Sequence, residues 1–313
     1  MQNKIHTVLG ASGATGKAVT HELKKRNLTV RAVERTTKLE GIETIKADLL
    51  IEDEAIKAIQ NSFFVYLCVG LPYQSKVWQR DWLKLMKNVI TACEKTNAKL
   101  IFFDNVYMYG PAPLSIPFTE EHAQYPTTKK GIARKNTADL LLKAIVEKRI
   151  KAVIGRSADF YGEFAVNSPF YISFLQNMLK GKAPQVLGKK DIGHTYAYSG
   201  DNGKALVALA LDDSTYGQVW HLPVGKPITF AEANIMLNVS LGTNFKVGYV
   251  PKLMRKVLSI FIPPISEVEE MLYQFESKYE MSCEKFMEHF PYFKITPYQK
   301  GIQAMVQSFK TIQ

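Results

Sequence analysis

The sequence predicts an α/β fold in which a doubly wound parallel sheet is joined to a smaller C-terminal α+β region. Two observations support this fold class. A short apolar strand, a glycine-rich turn and a helical segment follow one another over residues 5–25. From there to residue 162, apolar strands alternate with amphipathic helices, which is the order that a parallel sheet with crossover helices produces.

A dinucleotide-binding pattern follows the first strand: G-A-S-G-A-T-G, from Gly10 to Gly16. Gly10 permits a tight turn, Gly13 lets the backbone approach a pyrophosphate, and Gly16 lets the helix pack close to the strand. The pyrophosphate would lie on free N–H groups at the positive end of the helix dipole. The alternative is a purely structural turn. The cofactor-binding residues expected in this turn are Gly10, Ser12, Gly13, Ala14, Thr15 and Gly16.

Hydrophobic periodicity locates the remaining elements. The predicted strands are Ile5–Leu9, Leu28–Val33, Glu43–Ala47, Phe63–Val69, Lys99–Phe103, Ile150–Ile154, His194–Tyr198 and Val219–Leu222. The predicted helices are Lys17–Lys25, a helix from near Glu52, Ser75–Lys95, Thr127–Glu147, Pro169–Leu179, Asn202–Leu211, Phe230–Leu241 and Pro297–Phe309. Asp201 is expected to cap the helix that follows it, and Thr229 with Glu232 forms a capping-box pattern.

Two regions of the chain differ in pattern. Residues 1–165 are predicted to form the dinucleotide-binding domain, with the last strands of its sheet interleaved at about 190–225. Residues 166–313 are predicted to form a smaller, mostly helical region that covers the substrate. Ligands of doubly wound sheets bind beyond the carboxyl ends of the strands. We therefore expect Val69 and Gly70, which follow the fourth strand, to line the cofactor.

An acidic and a basic side chain follow the second strand, where such a fold contacts the adenosine ribose. Glu34 favours the 2′-hydroxyl of NAD(H), whereas Arg35, assisted by Lys38, favours the 2′-phosphate of NADP(H). The sequence favours NADP(H), with NAD(H) as the alternative. Asp48 and Leu49 follow the third strand; Asp48 either lies near the adenine or caps the next helix.

Composition disfavours several classes of protein. The 313 residues are 46% hydrophobic, with no apolar run long enough to span a bilayer and no signal-peptide pattern. Three cysteines without metal-like spacing indicate a cytoplasmic protein rather than a secreted disulfide protein. A formal net charge of +11 favours an anionic cofactor and a small, anionic substrate. The basic residues are scattered, so neither nucleic acid nor a membrane is an expected partner.

The motifs together resemble the extended short-chain dehydrogenase/reductase superfamily, in its NAD-dependent epimerase/dehydratase branch. They are the Gly10–Gly16 turn, Tyr107-Met108-Tyr109-Gly110, Pro126 to Arg134, Arg156 with Asp159-Phe160-Tyr161-Gly162, and His194-Thr195-Tyr196 followed by Asp201. The resemblance implies a Rossmann-type sheet, a nicotinamide dinucleotide cofactor and a C-terminal substrate domain. It also implies a monomer or a homodimer.

The chain departs from the catalytic Ser/Thr, Tyr and Lys of this superfamily. The usual serine pair falls on Asp104-Asn105, the tyrosine on Lys130 and the lysine on Arg134. A literal Tyr-x-x-x-Lys begins at Tyr125. Because a residue before proline is pushed out of the helical conformation, Tyr125 is expected outside the helix, which makes this second register the weaker one.

The resemblance therefore implies an atypical NAD(P)-dependent oxidoreductase or epimerase acting on a hydroxyl or carbonyl group. The candidate catalytic residues are Asn105, Lys130, Arg134 and Tyr107, with Lys130 also facing the cofactor. Lys130 would act as the acid or base, as the lysine does in isoflavone-reductase-like relatives. Asn105 either contacts substrate or ties down its own loop. The alternative is a dinucleotide-binding redox sensor without catalysis, similar to NmrA-like regulators.

Overall fold

The computed structural model describes residues 4–251, 253–255, 259 and 263–311. Contacts group the chain into two compact units. The first unit comprises Met1–Met108, Lys129–Ser157 and Gly200–Leu222, and the second comprises Tyr109–Thr128, Ala158–Ser199 and Pro223–Gln313. The division into residues 1–165 and 166–313 stays a prediction.

A parallel sheet of seven strands forms the centre of the first unit. Its strands are β1 (Ile5–Leu9), β2 (Val30–Glu34), β3 (Glu43–Lys46), β4 (Ser62–Leu67), β5 (Lys99–Asp104), β6 (Ala152–Arg156) and, later in the chain, Val219–His221. The strand Val219–His221 lies at one edge of the sheet. From there the order across the sheet is β6-β5-β4-β1-β2-β3, and all neighbouring strands are parallel. The predicted fold class, α/β with a Rossmann-type sheet, is confirmed.

The order of the strands reverses between β1 and β4, which are adjacent in the sheet although β2 and β3 separate them in sequence. Both strands are buried almost throughout, because apolar side chains on a parallel strand pack against helices on both faces. In open α/β sheets, the crevice at such a reversal is where ligands bind. The turns after β1 and β4 are therefore the segments that position the candidate site.

Five helices belong wholly or mainly to the first unit: α1 (Ala14–Lys25), α2 (Glu52–Ala58), α3 (Ser75–Thr96), α4 (Lys129–Val146) and, after the residues of β6, Ser199–Leu211. Helix α3 packs against both α2 and α4. Leu85, Val89 and Leu141 from α3 and α4 share a core with Phe102 and Ile154 of the sheet. The apolar side chains of the amphipathic helix α3 are therefore buried in the core, as its amphipathic pattern predicts.

Two helices begin three residues before their predicted starts. Helix α1 begins at Ala14 rather than Lys17, because Gly13 is already its N-cap residue and the glycine turn winds directly into the helix. The helix predicted from Asn202 begins at Ser199, which places Asp201 within the first turn instead of at the cap. The Asp201 carboxylate accepts a hydrogen bond from Lys204 Nζ at 2.9 Å.

The second unit has short strands and a mixed helical core. Its strands are β7 (Phe160–Tyr161), β8 (Gln185–Val186), β9 (Ala197–Tyr198) and β11 (Gly248–Tyr249); the strand Val219–His221 of the first unit is β10. Strand β7 pairs with β9, and β8 pairs with β11. Its helices are α5 (Gln176–Met178), α7 (Phe230–Leu241), α8 (Pro263–Glu269), α9 (Glu284–His289) and α10 (Tyr298–Lys310). The label α6 is given to the helix Ser199–Leu211 described above.

Local signals in the second unit were accurate to different degrees. The Thr229–Glu232 capping box at the start of α7 is confirmed. The helix predicted over 169–179 contains a π-helical stretch, Tyr171–Leu175, ahead of α5. Of the predicted strand His194–Tyr198 only the last two residues form β9, because His194 instead bridges to Ile228 and Tyr279.

No helix within the described ranges is long and apolar enough to cross a membrane.

The imidazole of His6 is buried in β1, where its Nδ1 lies 3.0 Å from Tyr66 Oη. Burial, and secondarily the charge of Lys4, lowers the pKa of His6 from 6.5 to about 4. The folded state thus prefers the neutral ring. The contribution of His6 to the free energy of unfolding is fully present above pH 6.5. It is lost as the pH falls toward 4, because the unfolded chain binds the proton first.

We therefore expect the free energy of unfolding to fall by about 3 kcal/mol through His6 between pH 7 and pH 4. Urea unfolding across this range, compared between the parent and His6→Asn, measures this contribution. His21→Asn, at an exposed position on α1, is the matched control. A pH dependence identical in the parent and His6→Asn would contradict the expectation.

Candidate active site

The turn between β1 and α1 lies against the residue that follows β4. Gly10 has φ +79°, a conformation that favours glycine, and a Cβ there would approach Val69 Cα to 2.9 Å. A Cβ on Gly16 would overlap the carbonyl oxygen of Gly10. Both glycines are therefore required by the close approach of backbone to backbone, and this approach brings the ends of β1 and β4 together.

Gly13 is not required by the fold in this way. Its φ is −70°, and a Cβ there would meet protein only at Gly10 O, at an ordinary 3.5 Å. Thr15 Oγ1, two residues further, is buried and has no hydrogen-bond partner within the described part of the chain. An open backbone at the start of a helix of twelve residues and an orphaned hydroxyl beside it fit a bound pyrophosphate.

The carboxylate of Glu34, at the end of β2, also reaches this turn. Its Oε1 accepts a hydrogen bond from the backbone N–H of Ser12 at 2.5 Å. Arg35, the next residue, is exposed. Of the two side chains that the sequence offered for contact with the ribose, Glu34 is therefore the one tied to the glycine turn.

Asp48 and Leu49 follow β3, as predicted, but Asp48 does not cap α2. The N-cap residue of α2 is Ile51, and the Asp48 carboxylate accepts from the backbone N–H of Leu50 at 3.0 Å. The interpretation of Asp48 as a helix cap is therefore wrong, because the carboxylate closes a local turn three residues earlier. The Leu49 side chain lies in the core between the sheet and α3, so that only its backbone faces the turn.

The segment from Val69 to Ser75 runs from the glycine turn to the start of α3. Val69 contacts Gly10, as described above, and a Cβ on Gly70 would meet open space. Further along, Tyr73 packs edge-on against Trp78 with ring centroids 5.4 Å apart. This segment therefore connects the turn Gly10–Gly16, the candidate glycine cradle for a dinucleotide, to the side chains that surround Lys130.

Lys130 lies in the first turn of α4 with its side chain 0% exposed. Its Nζ donates a hydrogen bond to Ser75 Oγ at 2.9 Å, and the same nitrogen lies 4.5 Å from the centroid of the Tyr73 ring. A buried ammonium is stable only when polar or aromatic partners replace water, and these two side chains do so. The sequence analysis named Lys130 but neither of its partners.

Arg134, one turn further along α4, is committed to a buried ion pair. Its Nε donates to Asp104 Oδ1 at 2.9 Å, and Arg156 Nε lies 3.4 Å from the other carboxylate oxygen. The Arg134 guanidinium also lies 4.1 Å above the Trp82 ring. Arg134 thus joins α4 to the ends of β5 and β6.

Asn105 and Tyr107 are close to this ion pair in sequence but make local contacts. Asn105 Oδ1 accepts from the backbone N–H of Tyr107 at 3.1 Å, which is the loop-closing role that the sequence left open. The Tyr107 ring stacks on Trp78 at 6.0 Å between centroids. Both residues therefore shape the β5 turn. Tyr125, of the second Tyr-x-x-x-Lys register, lies outside α4, which begins at Lys129, and is 72% exposed.

Sequence reasoning missed Ser75, Tyr73 and the role of Asp104. Ser75 was placed only as the first residue of a helix, and Asp104 only as a departure from a serine. A usable signal existed for Asp104, because a carboxylate at the end of a buried strand needs a cation. Arg156 comes at the end of the next strand, and Arg134 lies in the helix between the two strands. No local signal pairs Ser75 with Lys130, since 55 positions separate them.

The second unit contains a separate cavity of about 540 Å³. Two of its lining residues, Lys189 and Lys190, are exposed cations, whereas Arg255 is held by Glu276 and by the carbonyl oxygen of Leu187. The complete lining is Leu187, Gly188, Lys189, Lys190, Asp191, Ile192, Tyr249, Val250, Arg255 and Glu276. Among the described residues, no group of three or more His, Cys, Asp or Glu side chains could hold a metal ion.

A doubly wound sheet with a glycine cradle at its strand reversal defines a dinucleotide-binding α/β protein. The chain belongs to the NAD dependent epimerase/dehydratase family, whose family model matches residues 6–222. The resemblance that the motifs predicted is thereby confirmed. No curated protein sequence matches the chain significantly.

Solved structures similar to this chain include epimerases of low sequence identity. UDP-N-acetylglucosamine 4-epimerase from Methanobrevibacter ruminantium, in complex with UDP-N-acetylmuramic acid, has a TM-score of 0.81 at 17% identity and covers 100% of both chains. UDP-glucuronic acid 4-epimerase from Bacillus cereus, in complex with NAD, has a TM-score of 0.80 at 17% identity, covering 98% of this chain and 99% of its own. UDP-glucose 4-epimerase from Thermus thermophilus, also with NAD, has a TM-score of 0.78 at 17% identity, with the same coverage.

The buried ion pair gives a stability prediction. Asp104→Asn removes the buried carboxylate charge that the guanidinium groups of Arg134 and Arg156 share, so we expect a loss of about 3–5 kcal/mol in the free energy of unfolding. Urea unfolding at pH 7 measures it. Asp139→Asn, which removes only a partly exposed partner of Lys135, is the control and should change stability by less than about 1 kcal/mol. Equal losses in the two variants would refute the assignment.

Proposed function

We propose that this protein is a nicotinamide dinucleotide-dependent oxidoreductase or epimerase in which Lys130 replaces the usual tyrosine as acid and base. The observation that carries the proposal is the continuity of the site. The glycine cradle touches Val69, and the same segment continues to Tyr73 and Ser75, which contact the buried Lys130. Proton-coupled hydride transfer requires a bound cofactor and a titratable side chain near each other, and here one segment of the chain links the glycine turn to Lys130.

The residues of the cradle fit a dinucleotide. Gly13 leaves the backbone open at the start of α1, and the buried Thr15 hydroxyl lacks a protein partner among the described residues. These two positions would hold the pyrophosphate, with the backbone of Val69 and Gly70 toward the nicotinamide end. When bound, the nicotinamide ring supplies the hydride acceptor or donor, and the protein supplies binding, orientation and proton transfer.

We propose NAD(H) as the preferred form of the cofactor. The Glu34 carboxylate is hydrogen-bonded to the glycine turn, where it would accept from a ribose hydroxyl and repel a 2′-phosphate. The preference for NADP(H) that the sequence suggested through Arg35 stays a prediction, and its support is weaker because Arg35 is exposed. The similar structures from Bacillus cereus and Thermus thermophilus, which contain NAD, agree with the Glu34 assignment.

For the substrate we propose a small anionic molecule with a hydroxyl or carbonyl group. The similar structures named above are epimerases of UDP-sugars, and nucleotide sugars combine phosphate charge with oxidisable hydroxyl groups. The net charge of +11 would favour the approach of any anionic substrate.

Thermal-shift titration with NAD+, NADH, NADP+ and NADPH tests the cofactor assignment. We expect stabilisation by NAD(H), by about 2.7 kcal/mol at a hundredfold excess over the dissociation constant. Glu34→Ala should weaken NAD(H) binding and leave the stability of the unliganded protein nearly unchanged. Arg35→Ala should not affect NAD(H) binding. Stabilisation by the phosphorylated pair alone, lost in Arg35→Ala, would instead support the NADP(H) prediction.

A second substitution separates the cofactor role of the turn from its structural role. Gly13→Ala should preserve the unfolding midpoint in urea, because the added Cβ has ordinary space, and should abolish the thermal shift by the dinucleotide. Gly16→Ala, whose Cβ would overlap Gly10 O, should destabilise the unliganded protein itself. If Gly13→Ala bound the cofactor normally, the turn would be structural only.

Catalysis is tested by monitoring NADH absorbance with small carbonyl compounds, and sugar interconversion with UDP-sugars. Lys130→Met should lower kcat by at least about a hundredfold without loss of cofactor binding. The matched control is Lys129→Met, since the neighbouring lysine is exposed. Cofactor binding without turnover on any substrate would favour the redox-sensor alternative.

A further inference from the structure

We infer that Ser75 is a catalytic residue: its hydroxyl carries the proton between the buried Lys130 and the substrate oxygen, in place of the missing tyrosine phenol. The inference rests on the proposed function, because it assigns a role within the same proton-coupled reaction. It concerns a residue in the segment after β4, outside all the motifs that carry the family resemblance.

The burial of the two side chains motivates the assignment. Lys130 is 0% exposed, so its ammonium has no direct route to a ligand in solvent. Ser75, at the start of α3, is only partly buried, and its Oγ lies 2.9 Å from Lys130 Nζ. Ser75 is therefore the less buried member of the hydrogen-bonded pair, and Lys130 is the more buried one. The Tyr73 ring, 4.5 Å from the same nitrogen, covers another side of it.

The direction of the hydrogen bond supports a relay. An ammonium donates only, so the Ser75 oxygen accepts from Lys130 and its own hydrogen is directed to another acceptor. A hydroxyl that accepts from one side and donates to the other can pass a proton along without a change in its own protonation state. The tyrosine and lysine of the superfamily hold the equivalent outer and inner positions on one helix, whereas here α3 supplies the outer group and α4 the inner one.

The proton balance in the direction of reduction is as follows. The substrate carbonyl carbon gains a hydride from the reduced cofactor named in the proposed function, and the carbonyl oxygen takes the Ser75 hydroxyl proton. Ser75 Oγ simultaneously receives a proton from Lys130 Nζ, which becomes a neutral amine. Lys130 then regains a proton from water through the same hydroxyl. In the oxidative direction each transfer is reversed, and the neutral amine is the base.

The kinetic test compares Ser75→Ala, Ser75→Thr and the parent. Ser75→Ala should lower kcat about a hundredfold or more and flatten the pH profile of kcat, with the thermal shift by the dinucleotide unchanged. Ser75→Thr keeps a hydroxyl and should recover most of the activity. Wild-type kcat and an unchanged pH profile in Ser75→Ala would overturn the inference, as would failure of Ser75→Thr to exceed Ser75→Ala.

A second test requires no substrate or cofactor. Ser75→Cys puts a thiol beside Lys130, and a neighbouring ammonium lowers the pKa of a thiol below its usual value of about 8.5. Iodoacetamide alkylation of the introduced thiol, followed by peptide mass spectrometry across pH 5–10, should show a midpoint at least about one pH unit lower than in the double variant Ser75→Cys/Lys130→Met. Peptide-level detection separates this thiol from Cys68, Cys93 and Cys283.

The two tests distinguish the possible failures. An equal alkylation midpoint in the single and double variants, or an unreactive thiol, would overturn the relay even if the enzyme were active. A lowered midpoint, in a protein that binds the dinucleotide but turns over none of the substrates, would show that Ser75 and Lys130 are neighbours but would overturn the proposed function and, with it, the relay.

Discussion

The candidate site depends on the contact between two backbone turns, one after β1 and one after β4. A Cβ at Gly10 would approach Val69 Cα to 2.9 Å, so the two turns lie close enough to require glycine at this position. This contact occurs where the strand order reverses, and it determines where the chain after Val69 begins its course. Tyr73 and Ser75 are only a few residues beyond it, so their positions depend on the same contact.

A second constraint acts on the other half of the site, through the buried carboxylate of Asp104. Two guanidinium groups, from Arg134 and Arg156, share it, and removing water from three charges is costly unless their partners compensate. Such a cluster is weak evidence for stability, but it is geometrically demanding. Because Arg134 lies one turn beyond Lys130, the ion pair fixes the rotation of α4 about its axis and with it the direction of Lys130.

Much of the first unit could be predicted from the sequence because its signals are local. The β1 turn, the buried strands and the amphipathic α3 all follow from residue order and periodicity. The start of α6 was misplaced for a local reason as well: Asp201 is a good cap residue, but the helix had already begun at Ser199. Where two local signals conflicted, as for Glu34 and Arg35, the sequence alone could not decide between them.

The partners of Lys130 could not be predicted, because they depend on how α3 and α4 pack against each other and on the sheet. Because Lys130 is fully buried, only certain side chains can be its neighbours. Its ammonium needs an acceptor and a surface that tolerates charge, and Ser75 and Tyr73 supply an oxygen and a π face respectively. The position of Lys130 is therefore coupled to residues 73 and 75, which lie on a different segment. The three residues form one cluster, in which the hydroxyl and the aromatic ring compensate for the removal of the Lys130 charge from water.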